Sequence, residues 1–207
     1  MKLFLASGNT HKAGELSAFA KATADTAVAV PIEIISAAAV GGMPAVEEDA
    51  GTFAGNARKK ALALRTRLPT DAWALADDSG LCVDALGGAP GVESAYYAGP
   101  QGDSAANLQK LVEVMRPVPD AQRGAHFICV LVLIGPAGEH IFEGRCEGRL
   151  LHAPRGEGGF GYDPLFVPEG YAQSFSELGS EIKNRLSHRA RAWEKLAEWL
   201  RAQPSVK

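Results

Sequence analysis

Short apolar runs and residues at helical spacing alternate along the chain, so the pattern predicts strands separated by helices. The run from Lys2 to Ala6 predicts a first strand, which ends at the turn-forming residues Ser7-Gly8-Asn9. The next segment predicts a helix whose inward face consists of Leu16, Phe19 and Ala20. A second strand is predicted from Val28 to Ile35, and Pro31 within it indicates an edge strand or a kinked one.

The middle of the chain predicts another helix and another strand. Thr52 is placed to cap a helix with an apolar stripe made of Phe53, Ala57, Leu64 and Leu68. Trp73 to Ala76 then predicts a short strand. That strand would deliver two adjacent carboxylates, Asp77 and Asp78, to a turn.

The second half predicts a helix, a hairpin and a long final helix. Asp103 or Ser104 would cap a helix with an inward face of Leu108, Leu111, Val112 and Met115. The run "AHFICVLVLIG" predicts a strand, and "PAGE" connects it to a second strand from His140 to Leu151, which indicates an antiparallel hairpin. One C-terminal helix would carry Ile182, Leu186, Trp193, Leu196 and Leu200. We therefore expect an α/β fold with a mixed sheet, in a single domain over residues 1–207.

Composition narrows the possible partners. The 207 residues carry a formal net charge of −3, which argues against a general nucleic-acid binder. The three cysteines lie far apart, which fits a reducing compartment without a disulfide framework or zinc site. The N-terminal apolar segment is too short for a signal peptide, and no apolar run reaches membrane-spanning length. We expect a cytoplasmic protein with no membrane partner.

Two basic positions suggest an anion site. The turn "SGN" between a strand and a helix exposes backbone N–H groups at the positive end of the helix, and Lys12 lies in the first helical turn. Lys60 falls within the apolar stripe of its helix and therefore points towards the core side. A bound phosphate would explain both lysines. An ordinary turn with a solvated Lys12 and a snorkelling Lys60 would explain them too.

The Asp77-Asp78 pair indicates a site for a hard cation. Carboxylates at a strand end suit Mg²⁺, with substrate phosphates completing the coordination shell. One of the two could also accept a proton from an attacking water. The acidic loop residues Glu47 and Glu48 could add a ligand or could simply be solvated. The alternative is a turn in which an aspartate binds its own backbone.

Two C-terminal segments add aromatic and basic residues. "GEGGFG", residues 156–161, is not a dinucleotide fingerprint because it runs into Tyr162-Asp163-Pro164 and not into a helix. It predicts a loop that presents Phe160 and Tyr162 for stacking on a base, or that packs them in the core. "IKNRLSHRAR" collects five basic residues, which could converge on a ligand if the helix breaks at Ser187, or form a solvated face.

Together these segments resemble the inosine triphosphate pyrophosphatase family. The matching blocks occur in the family's order over nearly the whole chain: "ASGNTHKAGEL", "EEDAGTFAGNARKKA", "LADDSGLCVDALGGAPGVESA", "GGFGYDPLF" and "EIKNRLSHRARA". The resemblance implies an elongated α/β fold with a central mixed β-sheet, two lobes around a nucleotide-binding cleft, and a homodimer. It also implies Mg²⁺-dependent hydrolysis of ITP, dITP and XTP to the monophosphate and pyrophosphate.

The resemblance also assigns roles by position. Asp78 matches the proton acceptor and a metal ligand, Asp77 its acidic catalytic neighbour, and Glu48 a second metal ligand. Substrate contacts would come from Ser7, Gly8, Asn9, Thr10, His11, Lys12, Lys60, Ser79, Phe160, Gly161, Tyr162, Asp163, Lys183, His188 and Arg189. The chain departs from the family pattern at Tyr96, where we expect an arginine, and at His11, where we expect a smaller residue.

Two other functions stay open at this stage. A related pyrophosphatase could prefer pyrimidine or other modified triphosphates. A nucleotide sensor would bind the same substrate without releasing pyrophosphate, although the intact Asp77-Asp78 pair argues against it.

Overall fold

The computed structural model describes residues 1–24 and 31–203, in which six strands form one mixed sheet. The strands are β1 (Lys2–Leu5), β2 (Glu33–Ser36), β3 (Trp73–Val83), β4 (Gly124–Gly135), β5 (Gly138–Leu150) and β6 (Phe166–Pro168), in the order β2-β1-β3-β4-β5-β6. Strand β1 pairs in parallel with β2 and β3, whereas β5 and β6 are antiparallel. The predicted α/β fold with a mixed sheet is confirmed.

Five α-helices accompany the sheet in the described chain. They are α1 (Thr10–Ala24), α2 (Phe53–Arg65), α3 (Ser104–Met115), α4 (Phe175–Leu186) and α5 (His188–Ala202). The caps follow the sequence signals: the Thr52 hydroxyl accepts from the Gly55 N–H at 3.1 Å, and the Asp103 carboxylate accepts from two N–H groups of α3. No described helix is long and apolar enough to cross a membrane.

The chain divides into two compact units. The first comprises Met1–Asp78, Cys129–Gly144 and Arg189–Lys207, and the second comprises Ser79–Ile128 and Arg145–His188. The first unit buries an apolar core that includes Leu5, Leu75, Leu131 and Trp193. The second unit buries its own core, in which the ring of Phe127 packs against those of Phe166 and Phe175. Each unit therefore has a hydrophobic interior of its own.

Several predicted elements are confirmed. In α1 the side chains of Leu16, Phe19 and Ala20 are buried, and in α3 those of Leu111 and Met115 are buried. Strands β4 and β5 are neighbours joined by two residues, a connection that only an antiparallel hairpin allows. For the second predicted strand, residues 28–30 lie outside the described residues, and β2 covers Glu33–Ser36.

One prediction about local structure is wrong, and one alternative that the sequence left open is decided. The strand predicted to stop at Ala76 continues to Val83, so Asp77 and Asp78 lie inside β3 and not in a turn. The C-terminal segment does break at Ser187, which adopts an extended conformation (φ −67°, ψ 159°) between α4 and α5.

Candidate active site

The pleat of β3 sends its two adjacent carboxylates to opposite faces of the sheet. Successive side chains of a strand alternate between faces, so Asp77 and Asp78 point away from each other. Asp77 contacts Lys12 and Arg189, whereas Asp78 contacts Lys60. The apparent repulsion between the neighbours is thereby removed, since each carboxylate has its own cation.

Asp77 is fully buried within an ion-pair network of the first unit. Its Oδ1 atom is 2.5 Å from Lys12 Nζ, and its Oδ2 atom accepts from Arg189 Nε at 2.7 Å. The Cys129 thiol donates to the same Oδ2 atom at 3.1 Å. Arg189 also pairs with Glu15, and its side chain is 1% exposed. Burial raises the pKa of Asp77, but Arg189 and Lys12 outweigh burial and hold that pKa well below its usual range.

Asp78 has a different environment on the other face. Its Oδ1 atom accepts from Lys60 Nζ at 2.7 Å, and the same ammonium donates to Glu48 Oε2 at 2.8 Å. The Oδ2 atom of Asp78 is buried and has no hydrogen-bond partner among the described residues. Burial, only partly offset by Lys60 and Lys12, raises the pKa of Asp78 to about 6. The Oδ1 atom of Asp78 is thus hydrogen-bonded to Lys60, and the Oδ2 atom is available to a ligand.

Lys60 has the inward orientation that its position in the apolar stripe predicts. Its side chain is 11% exposed and reaches Asp78 from α2. Burial lowers the pKa of Lys60, but Asp78 and Glu48 outweigh burial, and the pKa is raised. Glu48 has a lowered pKa, because Lys60 outweighs the effect of its burial. The ammonium therefore stays charged between the two carboxylates.

The turn before α1 is held by two hydrogen bonds from its own backbone N–H groups to side-chain oxygens. The Ser7 hydroxyl accepts from the Asn9 N–H at 3.1 Å, and Asn9 Oδ1 accepts from the Lys12 N–H at 3.1 Å. Gly8, Thr10 and His11 are exposed. Lys12 extends from this first turn to Asp77, whose charge offsets the unfavourable position of a cation near the helix N-terminus.

In the second unit a buried carboxylate organises the glycine-rich loop. Asp163 Oδ2 accepts from the Phe160 N–H at 2.9 Å and from Lys183 Nζ at 2.6 Å. The Lys183 ammonium lies 4.4 Å from the centroid of the Phe160 ring, within cation–π range. Gly159 and Gly161 have φ values of +77° and +63°, which glycine adopts without strain. Phe160 is half-buried, so part of its ring is accessible.

The remaining predicted residues have distinct surroundings. Tyr162 is buried in the core of the second unit, and its hydroxyl donates to the Ser94 carbonyl at 2.9 Å. His188 stacks on Phe127 with ring centroids 4.8 Å apart, and Ser79 is half-buried in β3. Direct contact of these residues, and of Arg189, with a substrate stays a prediction.

Four polar residues that organise these clusters escaped the sequence interpretation. Glu15 and Cys129 contact the Asp77 network, and Ser94 and Asn107 contact each other beside Tyr162. Two signals could have found part of this set. Glu15 follows Lys12 at the i,i+3 spacing that shares a helix face. Asn107 occupies the buried stripe of α3 with Leu111 and Met115.

Carboxylate oxygens that could bind a metal are few in the part of the chain that the structure describes. Those residues contain no cluster of three or more histidine, cysteine, aspartate or glutamate side chains arranged for a metal ion. Asp78 and Glu48 both form ion pairs with the Lys60 ammonium, and their carboxylates supply hard oxygen ligands. Such a pair suits a cation that takes most of its remaining ligands from water or from the substrate.

The fold and these clusters define the class of the protein: a mixed-sheet α/β protein with buried, lysine-paired carboxylates on its central strand. The chain belongs to the Ham1 family, whose family model matches residues 3–199.

Curated relatives are similar to this chain over nearly its whole length. A dITP/XTP pyrophosphatase from Opitutus terrae is 64% identical over 201 residues, covering 96% of this chain and 98% of that protein. A dITP/XTP pyrophosphatase from Desulforamulus reducens is 47% identical, covering 97% and 96%. The solved structure of a HAM1 protein from Coxiella burnetii is 35% identical with a TM-score of 0.83, covering 97% of this chain and 98% of that one.

Proposed function

We propose that this chain hydrolyses non-standard purine nucleoside triphosphates, dITP and XTP together with ITP, to the nucleoside monophosphate and pyrophosphate. Two of its curated relatives are named dITP/XTP pyrophosphatase, and each is similar to this chain over nearly its whole length. The reaction breaks the bond between the α- and β-phosphates, with water supplying the oxygen that the α-phosphorus gains. The chain must therefore bind a triphosphate, activate a water and select a base.

We assign the triphosphate to the turn from Ser7 to Lys12 and to Lys60. Backbone N–H groups at a helix N-terminus bind anions through hydrogen bonds and through the helix dipole. Each of the two lysines forms an ion pair with a carboxylate: Lys12 with Asp77 and Lys60 with Asp78. Arriving phosphates would share these cations, which stabilise the charge that develops on the leaving pyrophosphate.

The half-satisfied carboxylate of Asp78 is the observation that carries the proposal. Lys60 fixes one oxygen, and the other is buried without a hydrogen-bond partner among the described residues. Such an oxygen can accept a proton from water. We propose that Asp78 removes the proton of the attacking water, while Asp77 keeps Lys12 and Arg189 in place.

The same carboxylates fit Mg²⁺. Asp78 Oδ2 is an orphaned, buried oxygen, and Glu48 contributes a second carboxylate at Lys60. When bound, the ion would polarise the phosphate and neutralise its charge. We therefore propose Asp78 and Glu48 as the protein's Mg²⁺ ligands.

We assign the base to the loop around Phe160. A half-buried aromatic ring beneath a lysine offers one face for stacking on a purine. Gly161, Tyr162 and Asp163 complete this loop, and Lys183 fixes it through Asp163. Ser79, His188 and Arg189 remain proposed substrate contacts. The homodimer and the cytoplasmic location also stay predictions.

A substrate panel with an Asp78 variant tests the proposal. Wild-type protein is assayed for pyrophosphate release from ITP, dITP, XTP, GTP, ATP and dTTP, with Mg²⁺ and with a chelator. We expect turnover of the first three substrates, which chelation abolishes and added Mg²⁺ restores. Asp78→Asn should lower turnover by about 100-fold or more, because a general base contributes at least about that factor.

Asp71→Asn is the matched control, since Asp71 is an exposed aspartate of the same unit. This variant should keep wild-type turnover, and thermal unfolding should show that both variants are folded. Near-normal dITP hydrolysis by folded Asp78→Asn would contradict the role of Asp78. A preference for dTTP would support a pyrimidine enzyme, and dITP binding without pyrophosphate release would support a sensor.

A further inference from the structure

The loop of residues 155–163, called the base loop here, is attached to the rest of the second unit by side-chain hydrogen bonds. On one side, α4 holds it: Ser174 Oγ donates to the Arg155 carbonyl at 2.7 Å, and Ser176 Oγ donates to the Gly158 carbonyl. Lys183, also from α4, holds Asp163. A separate attachment runs through Tyr162, which none of the roles above explains.

The Tyr162 hydroxyl donates a hydrogen bond to the Ser94 carbonyl, which also accepts from a second donor. The hydroxyl lies 2.9 Å from the Ser94 carbonyl oxygen, and Asn107 Nδ2 donates to the same oxygen at 3.4 Å. Asn107 Nδ2 also donates to the Ala95 carbonyl at 2.9 Å, while its Oδ1 atom accepts from the Ala98 N–H at 2.6 Å. Asn107 thereby fixes the segment that presents the carbonyl to Tyr162.

Ser94 ties this arrangement to the central strand. Its hydroxyl accepts from the Leu81 N–H of β3 at 2.9 Å and donates to the Gly91 carbonyl at 2.6 Å. Ser94, Asn107 and Tyr162 are only 8%, 4% and 5% exposed. A buried polar network with its members hydrogen-bonded is rigid, because any displacement leaves a desolvated polar group unpaired.

Burial also limits what Tyr162 can do. Its ring packs in the apolar core of the second unit with Phe166 and Phe175 among its neighbours in that cluster. A ring enclosed in this way cannot stack on a nucleotide base, and packing alone would be served equally well by phenylalanine. The hydroxyl is the part that needs explanation: its hydrogen bond anchors the residue next to Asp163, and Asp163 in turn accepts from the Phe160 N–H.

We propose that Ser94, Asn107 and Tyr162 form a polar clamp that positions the base loop, and that Tyr162 is a positioning residue for base recognition. The clamp holds the loop in its binding conformation before the substrate arrives, so binding does not have to order it. This inference rests on the proposed function, because it concerns the part of the substrate that the base loop would contact.

Tyr162→Phe tests the clamp with a single atom removed. The Ser94 carbonyl keeps Asn107 as a donor, so the variant should fold with a thermal midpoint close to that of the wild type. We expect the inhibition constant of dIMP, which carries the base, to rise about fivefold, the factor that one net hydrogen bond contributes. The KM for dITP should rise similarly, with a smaller change in kcat.

Inorganic tripolyphosphate provides the readout that separates positioning from a general structural effect. It lacks the base, so its inhibition constant should stay within about twofold of the wild-type value if the clamp acts on the base loop alone. Tyr171→Phe is the matched control, because Tyr171 is an exposed tyrosine of the same unit. This control should leave both inhibition constants unchanged.

The possible outcomes are distinct. A selective loss of dIMP affinity in Tyr162→Phe supports the clamp. Unchanged dIMP affinity, or equal losses for dIMP and tripolyphosphate, overturns it. Failure of the proposed function would be recognised separately, because the wild-type protein itself would then release no pyrophosphate from dITP.

Discussion

At the scale of residues, two adjacent aspartates acquire different properties from their neighbours. Asp77 accepts from two cations and a thiol and has a lowered pKa, whereas Asp78 has one cation and a raised pKa. The covalent structure of the two side chains is identical. The difference is set by the number of donors around each carboxylate, which favours a structural charge at Asp77 and a reactive one at Asp78.

Asp77→Asn should destabilise the protein strongly. The substitution removes the charge that Arg189 and Lys12 need in a fully buried position, and breaking such a pair costs about 3–5 kcal/mol. Urea unfolding at pH 7 without added Mg²⁺ measures the loss. Asp71→Asn should change the free energy of unfolding by less than about 0.5 kcal/mol, as expected for an exposed site. Equal stabilities of the two variants would contradict the structural role of Asp77.

The stability difference between wild type and Asp77→Asn should depend on pH in one direction. Because the pKa of Asp77 is lowered in the folded state, its contribution is complete above the usual aspartate pKa of about 4. It is lost as the pH falls through the lowered folded-state value. Urea unfolding should therefore give a constant difference between pH 8 and about pH 5, and a narrowing difference below about pH 4.

At the scale of elements, glycine conformation shapes α4. Gly179 has φ 77° and ψ 173° inside this helix, which is a non-helical conformation. That combination is accessible almost only to glycine, since a side chain there strains the backbone. Gly14, in contrast, is an exposed glycine within α1, and an added Cβ atom would meet nothing within 4 Å at either position.

Alanine substitutions at these two glycines should have opposite effects on stability. Gly179→Ala should lower the free energy of unfolding by about 1–3 kcal/mol, because of backbone strain alone. Gly14→Ala should raise it by about 0.5–1 kcal/mol, because alanine has the higher helix propensity. Urea unfolding of both variants provides the comparison. Stabilisation by Gly179→Ala would show that α4 is continuous there.

At the scale of the whole molecule, each unit needs internal connections besides its apolar core. In the second unit Arg123 is 2% exposed, and its guanidinium donates to the carbonyls of Leu150, Leu151, Met115 and Val118. One side chain thus joins the end of α3 to the end of β5. Buried carbonyls among these acceptors would lose a charged donor if the guanidinium were removed.

Arg123→Lys should destabilise the protein by about 2 kcal/mol or more. Lysine keeps the charge but lacks the planar fork that reaches several carbonyls at once, so buried acceptors lose their donors. Thermal or urea unfolding measures the effect. Arg116→Lys, at an exposed arginine that follows α3, should change stability by less than about 0.5 kcal/mol. If the two substitutions cost the same, the fork geometry of Arg123 is unimportant.

Local patterns in the sequence predicted much of the molecule. The α/β class, the helix caps at Thr52 and Asp103, the hairpin after "AHFICVLVLIG" and the inward orientation of Lys60 all depend on neighbours within a few residues. Such features are encoded by spacing and turn chemistry, which a single sequence displays directly.

Only the tertiary structure decided how the charged residues are paired. Arg189 meets Asp77 across 112 positions of the sequence, and Tyr162 meets Ser94 across 68. The sequence by itself determined which residue types were available. The fold determined which carboxylate is saturated by donors and which keeps an oxygen for a ligand, because hydrogen bonds and burial act between residues that no local pattern connects.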